Sequence, residues 1–259
     1  MDIIKLKDVN KIFVKGNKVL NKINLCIKEG ERVALIGPSG SGKSTLIRII
    51  GGFEKIDKGL DSKVEIMGVD RQRDGKLLPE SKKINSEIGI IFQQFNLVGR
   101  LKLLTNVLIG RLNKTSNLNS FFYVFDKKDK LIALEALDNV GMLEFAHQRA
   151  STLSGGQQQR GAIARVLAQE AKIVLADEPI ASLDPASSER VMKNLIKLNE
   201  KHKKTLLVSL HQFSVAKKMF DRIIAMKKGE IVYDGSPKDI KKKDLIEIYG
   251  VYDADEMLT

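Results

Sequence analysis

The sequence predicts an α/β fold in which parallel strands are covered by helices, and three observations support this prediction. Residues 33–36 form a short apolar run, typical of a strand buried on both faces, and a glycine-rich loop and a helix follow it. From residue 173 to residue 226, predicted strands and helices alternate, as they do around a parallel sheet. Between these regions, at about residues 97–165, the pattern is mainly helical.

The strands near the N-terminus have a different pattern from the buried strand at residues 33–36. Residues 3–9 and 20–27 alternate apolar and polar side chains, which indicates strands with one face buried. The second of these strands contains Cys26, the single cysteine, so no disulfide forms within the chain. We expect Cys26 to be a small side chain of the core.

The helical region divides the predicted domain. Residues 127–140 and 156–168 give the clearest helices, and the first is expected to place Leu131, Leu134 and Leu137 on one face. No linker rich in proline or serine interrupts the chain, so we predict a single domain. Its predicted parts are a core at residues 1–96 and 166–235, a helical lobe at 97–165 and a C-terminal helix within 236–259.

Composition and charge limit the cellular location and the partners that we expect for this protein. No stretch approaches the roughly 18 consecutive apolar residues of a membrane helix. The first nine residues alternate instead of forming an apolar signal-peptide core, so we expect the chain to stay in the cytosol. The net charge of +12 suits nucleic acid, an anionic membrane or a phosphate-bearing ligand, and equally a well-solvated lysine-rich surface. The basic patch at residues 238–243 contains no aromatic residue, so nucleic acid is not the expected partner.

A phosphate-binding loop follows the predicted buried strand. The segment fits the pattern G-x-x-x-x-G-K-[ST] and opens a helix, which is the context that the motif requires. Its backbone N–H groups and helix N-terminus suit phosphates, Lys43 would contact the β- and γ-phosphate oxygens, and Ser44 would hold Mg²⁺. The alternative is a turn rich in glycine and serine. The loop consists of Gly37, Pro38, Ser39, Gly40, Ser41, Gly42, Lys43, Ser44 and Thr45.

A pair of carboxylates ends the predicted strand at residues 173–176. Asp177 would hold Mg²⁺ through its water shell, and Glu178 would act as general base on the attacking water. Taken alone, the pair is equally well explained as a solvated acidic strand end. The phosphate loop favours the catalytic interpretation, because triphosphate chemistry requires a metal and the metal requires a carboxylate.

A second glycine-rich loop precedes the predicted helix at residues 156–168. It too presents N–H groups and a helix N-terminus to an anion, although Ser154 by itself indicates only a helix cap. The whole string is similar to the signature of the ABC ATPases, and the resemblance extends over nearly the entire chain. The signature residues are Leu153, Ser154, Gly155, Gly156 and Gln157.

The resemblance to ABC ATPases implies a P-loop NTPase core, which is a RecA-like mixed sheet with helices, an antiparallel β subdomain and a helical lobe specific to this family. It also implies roles for residues outside the two loops. Phe13 would stack on adenine, with a core strand residue as the alternative, Gln93 would contact Mg²⁺, and His211 would contact the γ-phosphate. A loop that crosses the dimer interface would comprise Ser182, Leu183 and Asp184.

The same resemblance implies a homodimer that closes head to tail around two ATP molecules, each bound by one subunit's phosphate loop and the other's signature. Narrower features resemble the ATPases of phosphonate importers, including Ile180 and Gln212 where many ABC ATPases have Thr and Asp. Such an ATPase would bind two membrane-spanning permease subunits at the cytoplasmic face of the membrane and serve a solute-binding protein indirectly. Uptake of thiamine phosphate, another importer or exporter, and a soluble ABC ATPase without a transport role remain alternatives.

One residue departs from the family pattern. Gly161 stands in the signature helix where these ATPases usually have Val. We expect this glycine to soften the helix at a cost of about 0.5–1 kcal/mol.

Overall fold

The computed structural model describes residues 1–14, 16–59, 61–93, 95–114, 125–181 and 183–250. Among the helices in these ranges, none is both long enough and apolar enough to cross a membrane. The strands are β1 (Asp2–Val14), β2 (Asn17–Lys28), β3 (Arg32–Ile36), β4 (Lys63–Ile66), β5 (Val69–Arg73), β6 (Lys76–Leu77), β7 (Ile88–Ile91), β8 (Ile173–Asp177), β9 (Thr205–Ser209), β10 (Arg222–Lys227) and β11 (Glu230–Gly235). The helices are α1 (Lys43–Gly51), α2 (Leu103–Leu108), α3 (Lys127–Asn139), α4 (Gly155–Gln169), α5 (Pro185–His202), α6 (Phe213–Met219) and α7 (Lys242–Tyr249).

The central sheet has six strands in the order β11-β10-β3-β9-β8-β7. All neighbouring pairs are parallel except β10 with β11, so the predicted α/β class is confirmed. Alternate residues of β3 enter two different hydrophobic clusters, one on each face of the sheet. Because β3, β8 and β9 run in the same direction, their carboxyl ends meet at one edge of the sheet and bring the loops that follow them together.

A second sheet is antiparallel, with the order β2-β1-β4-β5-β6. Its inward side chains share one hydrophobic cluster with α1 and with one face of the central sheet. Along β2, Ile23, Leu25 and Ile27 are buried, whereas Cys26 is exposed. The prediction that Cys26 belongs to the core is therefore wrong, because the two-residue period of the strand points it to the opposite face.

The helical lobe contains α2, α3 and the first turns of α4. Leu131 is 65% exposed, so the predicted apolar face of α3 is wrong at this position. The buried residues of α3 are Asp129, Ala133, Ala136 and Leu137, so the prediction is confirmed at Leu137. The predicted lobe boundary after residue 165 falls inside α4, which spans Gly155–Gln169. Val166, the first residue after that boundary, packs against Gly89 of β7 in the core. Residues 115–124, within the predicted lobe, lie outside the described residues.

The C-terminal helix lies within the predicted segment at residues 236–259. Helix α7 covers Lys242–Tyr249, and residues 251–259 lie outside the described part of the chain. Leu245 and Ile248 of α7 are buried in a hydrophobic cluster that also contains side chains of α5. The same cluster contains side chains from the face of the central sheet opposite the antiparallel sheet. The helix therefore covers the β10–β11 end of the core.

Gly161 has a packing role that its sequence context does not indicate. A Cβ atom at this position would lie 2.6 Å from Cδ1 of Leu103 and 3.2 Å from Cδ1 of Leu97. Leu103 is fully buried, so its side chain has no free space into which it can move. The glycine therefore allows α4 and α2 to approach each other closely, which gives a reason for the residue that we expected only to soften the helix.

We expect Gly161→Val to destabilise the protein by about 1–3 kcal/mol, because the added side chain overpacks the contact between α4 and α2. Urea unfolding followed by circular dichroism measures this effect. The double variant with Leu103→Ala should lose less stability than the sum of the two single variants, since the new valine fills space that leucine vacated. An unchanged unfolding midpoint for Gly161→Val would contradict this account.

Candidate functional site

The phosphate-binding loop joins β3 to α1, and its glycines are required by close backbone contacts. A Cβ atom on Gly37 would lie 2.1 Å from the carbonyl oxygen of Met226, and one on Gly42 would lie 2.7 Å from that of Val19. Both glycines have positive φ angles. Helix α1 starts at Lys43 without a side-chain cap, so its first N–H groups face the loop and are suited to bind an anion.

Lys43 lies inside this loop. Its Nζ donates to the carbonyl oxygens of Gly37 at 2.7 Å and Pro38 at 3.1 Å. Burial lowers the pKa of Lys43, and the nearby carboxylates of Glu178 and Asp177 act in the opposite direction. The ammonium group thus lies between the glycine-rich loop and the two predicted acidic residues.

Asp177 at the end of β8 lies next to the start of α1. Its Oδ1 accepts hydrogen bonds from the Ser44 hydroxyl at 2.9 Å and from the Ser209 hydroxyl at 2.8 Å. Ser209 ends β9 and is paired with Asp177 in the parallel register. This group of carboxylate and hydroxyl oxygens is chemically suited to Mg²⁺, which prefers oxygen ligands.

Glu178 follows β8 and is bound by three other residues. Its backbone has a left-handed φ of 49°, uncommon for a residue other than glycine and often found at functional sites. The backbone N–H of Glu178 donates to Ser209 Oγ at 2.8 Å. One carboxylate oxygen lies 2.5 Å from His211 Nε2, and the other accepts from Gln93 Nε2 at 3.1 Å. The structure therefore brings Gln93, Glu178 and His211 together.

A cavity of about 690 Å³ opens above the phosphate-binding loop. Gln93, Glu178 and His211 line it together with most of that loop. Four other residues that line the cavity were not predicted from the sequence: Asn17, Lys18, Val19 and Lys228. The turn that contains Lys228 is held there by Gly229, whose N–H donates to the Ser41 carbonyl oxygen at 3.1 Å. No signal in the sequence indicates this contact.

Phe13 lies on β1 beside this cavity but does not line it. Its side chain is 52% exposed, and Lys11 Nζ lies 4.8 Å from the ring centroid. Across the β1–β2 hairpin, Ile12 is paired with Lys18, which does line the cavity. Stacking of Phe13 on adenine stays a prediction that is compatible with this exposed position.

The signature residues begin α4 and lie apart from the cavity. Ser154 caps the helix by accepting from the Gln157 N–H at 3.3 Å, and the Gln157 side chain accepts from the Ser154 N–H at 2.8 Å. Leu153 is buried, whereas Ser154 and Gly155 are exposed. Among the described residues, none of the signature lines the cavity above the phosphate loop. Within the described part of a single chain, the phosphate-binding loop and the signature are therefore separate.

A family model described as ABC transporter matches residues 20–181, which is more than half of the chain. The chain belongs to the ABC transporter family. A protein of Burkholderia pseudomallei named phosphonates import ATP-binding protein is 48% identical over 96% of this chain and 81% of its own length. A protein of Nostoc with the same descriptive name is 49% identical over 95% of this chain and 92% of its own length.

Solved ATP-binding cassettes of this family have the same fold. A dimeric cassette in a post-hydrolysis state, bound to ADP and Pi, superposes with a TM-score of 0.79 at 38% identity, covering 92% of this chain and all of that one. An ABC transporter cassette in its ADP conformation gives 0.78 at 27% identity over all of this chain and 98% of that one. The protein is thus an ABC ATPase that binds ATP, and its P-loop NTPase fold is confirmed.

The loop after Glu178 connects β8 of this ABC ATPase to α5. Asp184 caps α5 by accepting from the Ser187 N–H at 2.9 Å. Hydrogen bonds from the Ser187 side chain and then from its backbone lower the pKa of the Asp184 carboxyl. Leu183 lies against the signature, since a Cβ atom on Gly156 would be 3.1 Å from its Cδ2. Ser182, the first residue of the predicted dimer loop, lies outside the described residues.

We expect Ser209→Ala to reduce ATP turnover about tenfold or more, because it removes the hydroxyl that holds both Asp177 and the backbone of Glu178. Steady-state ATPase assays measure this effect. Ser214→Ala is a matched control, since that serine is exposed on α6. Full activity in Ser209→Ala would mean that the hydroxyl does not position the carboxylates.

Proposed function

We propose that Glu178 is the general base of ATP hydrolysis in this ABC ATPase. The observation that supports this role is the convergence of Gln93 and His211 on the two Glu178 carboxylate oxygens, at the cavity that the phosphate loop lines. A carboxylate in this position accepts a proton from water as the water attacks the γ-phosphate. His211 and Gln93 orient the carboxylate, and Lys43 contacts the β- and γ-phosphate oxygens.

Mg²⁺ fits the oxygen groups at the end of β8. Ser44 and Gln93 would bind it directly, and Asp177 would bind it through water. When bound, the ion neutralises the charge that develops on the phosphates. The hydrogen bond from Ser44 to Asp177 supports this assignment, because it brings two oxygen groups together at the start of α1.

The complete ATP site takes residues from two copies of the chain. The phosphate loop and the signature both present N–H groups for an anion, but the signature does not line the cavity of its own chain in the described residues. A head-to-tail homodimer covers each ATP with the phosphate loop of one subunit and the signature of the other. The dimeric cassette with 38% identity, which is bound to ADP and Pi, supports the dimeric state of this proposal.

The reaction powers phosphonate import through two membrane-spanning permease subunits at the cytoplasmic face of the membrane. The high identity to two proteins named for phosphonate import, over nearly the whole chain, supports this cargo. A solute-binding protein would deliver the phosphonate outside the membrane and would not touch this chain.

Reconstitution of the ATPase with its permease and solute-binding protein in proteoliposomes tests the cargo. We expect 2-aminoethylphosphonate, supplied with the solute-binding protein on the side opposite the ATPase, to stimulate ATP hydrolysis. It should accumulate in the compartment on the ATPase's side of the membrane when ATP is supplied there. Thiamine monophosphate and inorganic phosphate serve as the comparison solutes. Stimulation by thiamine monophosphate alone would overturn the phosphonate assignment.

A cleft of about 560 Å³ between core and helical lobe is the docking site that we propose for a permease subunit. Arg165 lines this cleft, and its Nη1 donates to the Asn96 carbonyl oxygen at 2.7 Å, which fixes the segment at residues 95–98 beside the cleft. Val98 in this segment has an exposed side chain, while its N–H and carbonyl bind the Asn106 amide. A partner can therefore contact Val98 without unfolding the segment.

We expect Val98→Asp to uncouple transport from hydrolysis, because a charge replaces apolar contact surface while the backbone bonds to Asn106 remain. Transport in proteoliposomes should fall, and the ATPase activity of the isolated protein should stay within about twofold of wild type. Leu131→Asp, at an exposed leucine of α3, is the control. Normal transport with Val98→Asp would place the docking surface elsewhere.

A further inference from the structure

The signature helix α4 is connected to the loop after Glu178 and to the start of α5 in the same subunit by three contacts. Gln159 is 1% exposed, and its Nε2 donates to the carbonyl oxygen of Pro179, the residue that follows Glu178. One turn earlier on the helix, Gly156 lies against Leu183. Beyond the loop, in the first turn of α5, Arg160 Nη1 donates to Ser187 Oγ at 3.2 Å. Helix α4 thus contacts this loop near both of its ends and also contacts the start of α5 that follows it.

The start of the loop controls the direction of the Glu178 side chain. Glu178 has a left-handed backbone, and its carbonyl oxygen accepts from the Ala181 N–H at 3.3 Å, which makes a tight turn. The hydrogen bond from Gln159 fixes the peptide group at Pro179 in that turn. Since a single peptide bond joins Pro179 to Glu178, a movement of α4 changes the position of the Glu178 carboxylate.

We propose that Gln159 is a positioning residue that couples the signature helix to Glu178 of the same subunit. This inference rests on the proposed two-subunit site. In that dimer, the signature of each subunit covers the ATP that the partner subunit holds. The Glu178 of the same subunit acts on the ATP held by that subunit's own phosphate loop. The Gln159–Pro179 bond therefore connects the signature helix of a subunit to the base of that same subunit and holds the base in position.

A dimer with a single intact site tests this coupling. One subunit carries Lys43→Ala and supplies an intact signature, and the other carries Ser154→Arg and supplies an intact phosphate loop together with the working Glu178. Gln159→Met, which keeps the length of the side chain and removes the donor, is then added to either subunit. In the subunit with the working Glu178, we expect kcat to fall about tenfold to hundredfold with little change in KM for ATP.

The placement of Gln159→Met separates positioning from a purely structural role. In the subunit that supplies only the signature, Gln159→Met should change kcat less than about twofold. Equal losses in both placements, or a loss only in the signature-supplying subunit, would overturn the inference. Gln158→Met is the matched control, because Gln158 Nε2 donates to the Leu153 carbonyl oxygen at 3.0 Å, inside the signature itself. We expect Gln158→Met to lower kcat, if it does so, only when it is carried by the subunit that supplies the signature.

If the proposed two-subunit ATP site is wrong, the experiment gives a different result. If the two subunits without Gln159→Met show no activity as confirmed mixed dimers, the two-subunit site is wrong. If these dimers are active and the placement of Gln159→Met makes no difference, the site is correct and the coupling through Gln159 is wrong.

Discussion

Glu178→Gln should bind ATP normally, lose about 100-fold or more of its turnover, and accumulate as an ATP-bound dimer. Glutamine has nearly the same shape as glutamate, so the contacts of Gln93 and His211 with this position are disturbed little. An amide does not accept the proton of the attacking water at neutral pH, so hydrolysis stops after the dimer closes. Size-exclusion chromatography with and without Mg²⁺-ATP, together with nucleotide binding, measures this result.

The control for Glu178→Gln is an acidic residue outside the site. Glu189→Gln breaks an exposed ion pair with Lys193 on α5, and we expect ATP turnover close to wild type. Near-normal turnover in Glu178→Gln would remove the general-base assignment. Loss of ATP binding in that variant would instead show that Glu178 holds the nucleotide.

Two inactive variants, Lys43→Ala and Ser154→Arg, should recover ATPase activity when they are mixed. Lys43→Ala removes the ammonium group inside the phosphate loop, and Ser154→Arg places bulk and charge on the exposed cap of the signature helix. Each homodimer has a lesion in both of its sites. In a mixed dimer, one site combines both lesions and the other has none, so one intact site returns.

The recovery experiment distinguishes a shared site from a site within one chain. If both loops served the ATP of one subunit, every site in the mixture would keep one lesion and no activity would return. Differential affinity tags confirm that mixed dimers form, and a dimer with one site inactivated by another route shows whether a single site is sufficient. No recovery under these conditions would refute the shared site.

The strands of the core are predictable from local sequence because burial determines their pattern. Residues 33–36 and 173–176 are continuous apolar runs, and the structure buries both faces of the strands that contain them. Side-chain direction within half-buried elements was less predictable. Cys26 and Leu131 are apolar enough for the core, but the neighbouring sheet and helices, and not their own hydrophobicity, determine which face is covered.

In the candidate site, residues within contiguous motifs were predictable from the sequence, whereas residues that meet distant parts of the chain were harder to predict. The phosphate loop, the acidic pair and the signature are short segments, so their chemistry is visible in the order of residues. Ser209 was missed although it is a polar residue at the end of an apolar strand, which is a usable signal for a site at a sheet edge. Gln159 and Lys228 give no such signal, because their partners are 20 or more residues away in the chain.

By itself, the sequence determined the α/β class, the two glycine-rich loops and the family resemblance, because each depends on residue types at short spacings. Only the tertiary structure decided which groups meet. The parallel register of β8 and β9 sets Asp177 beside Ser209, and the turn after β8 directs Glu178 toward Gln93 and His211. These contacts depend on strand order and helix packing, which arise from the burial of the whole core and not from any one segment.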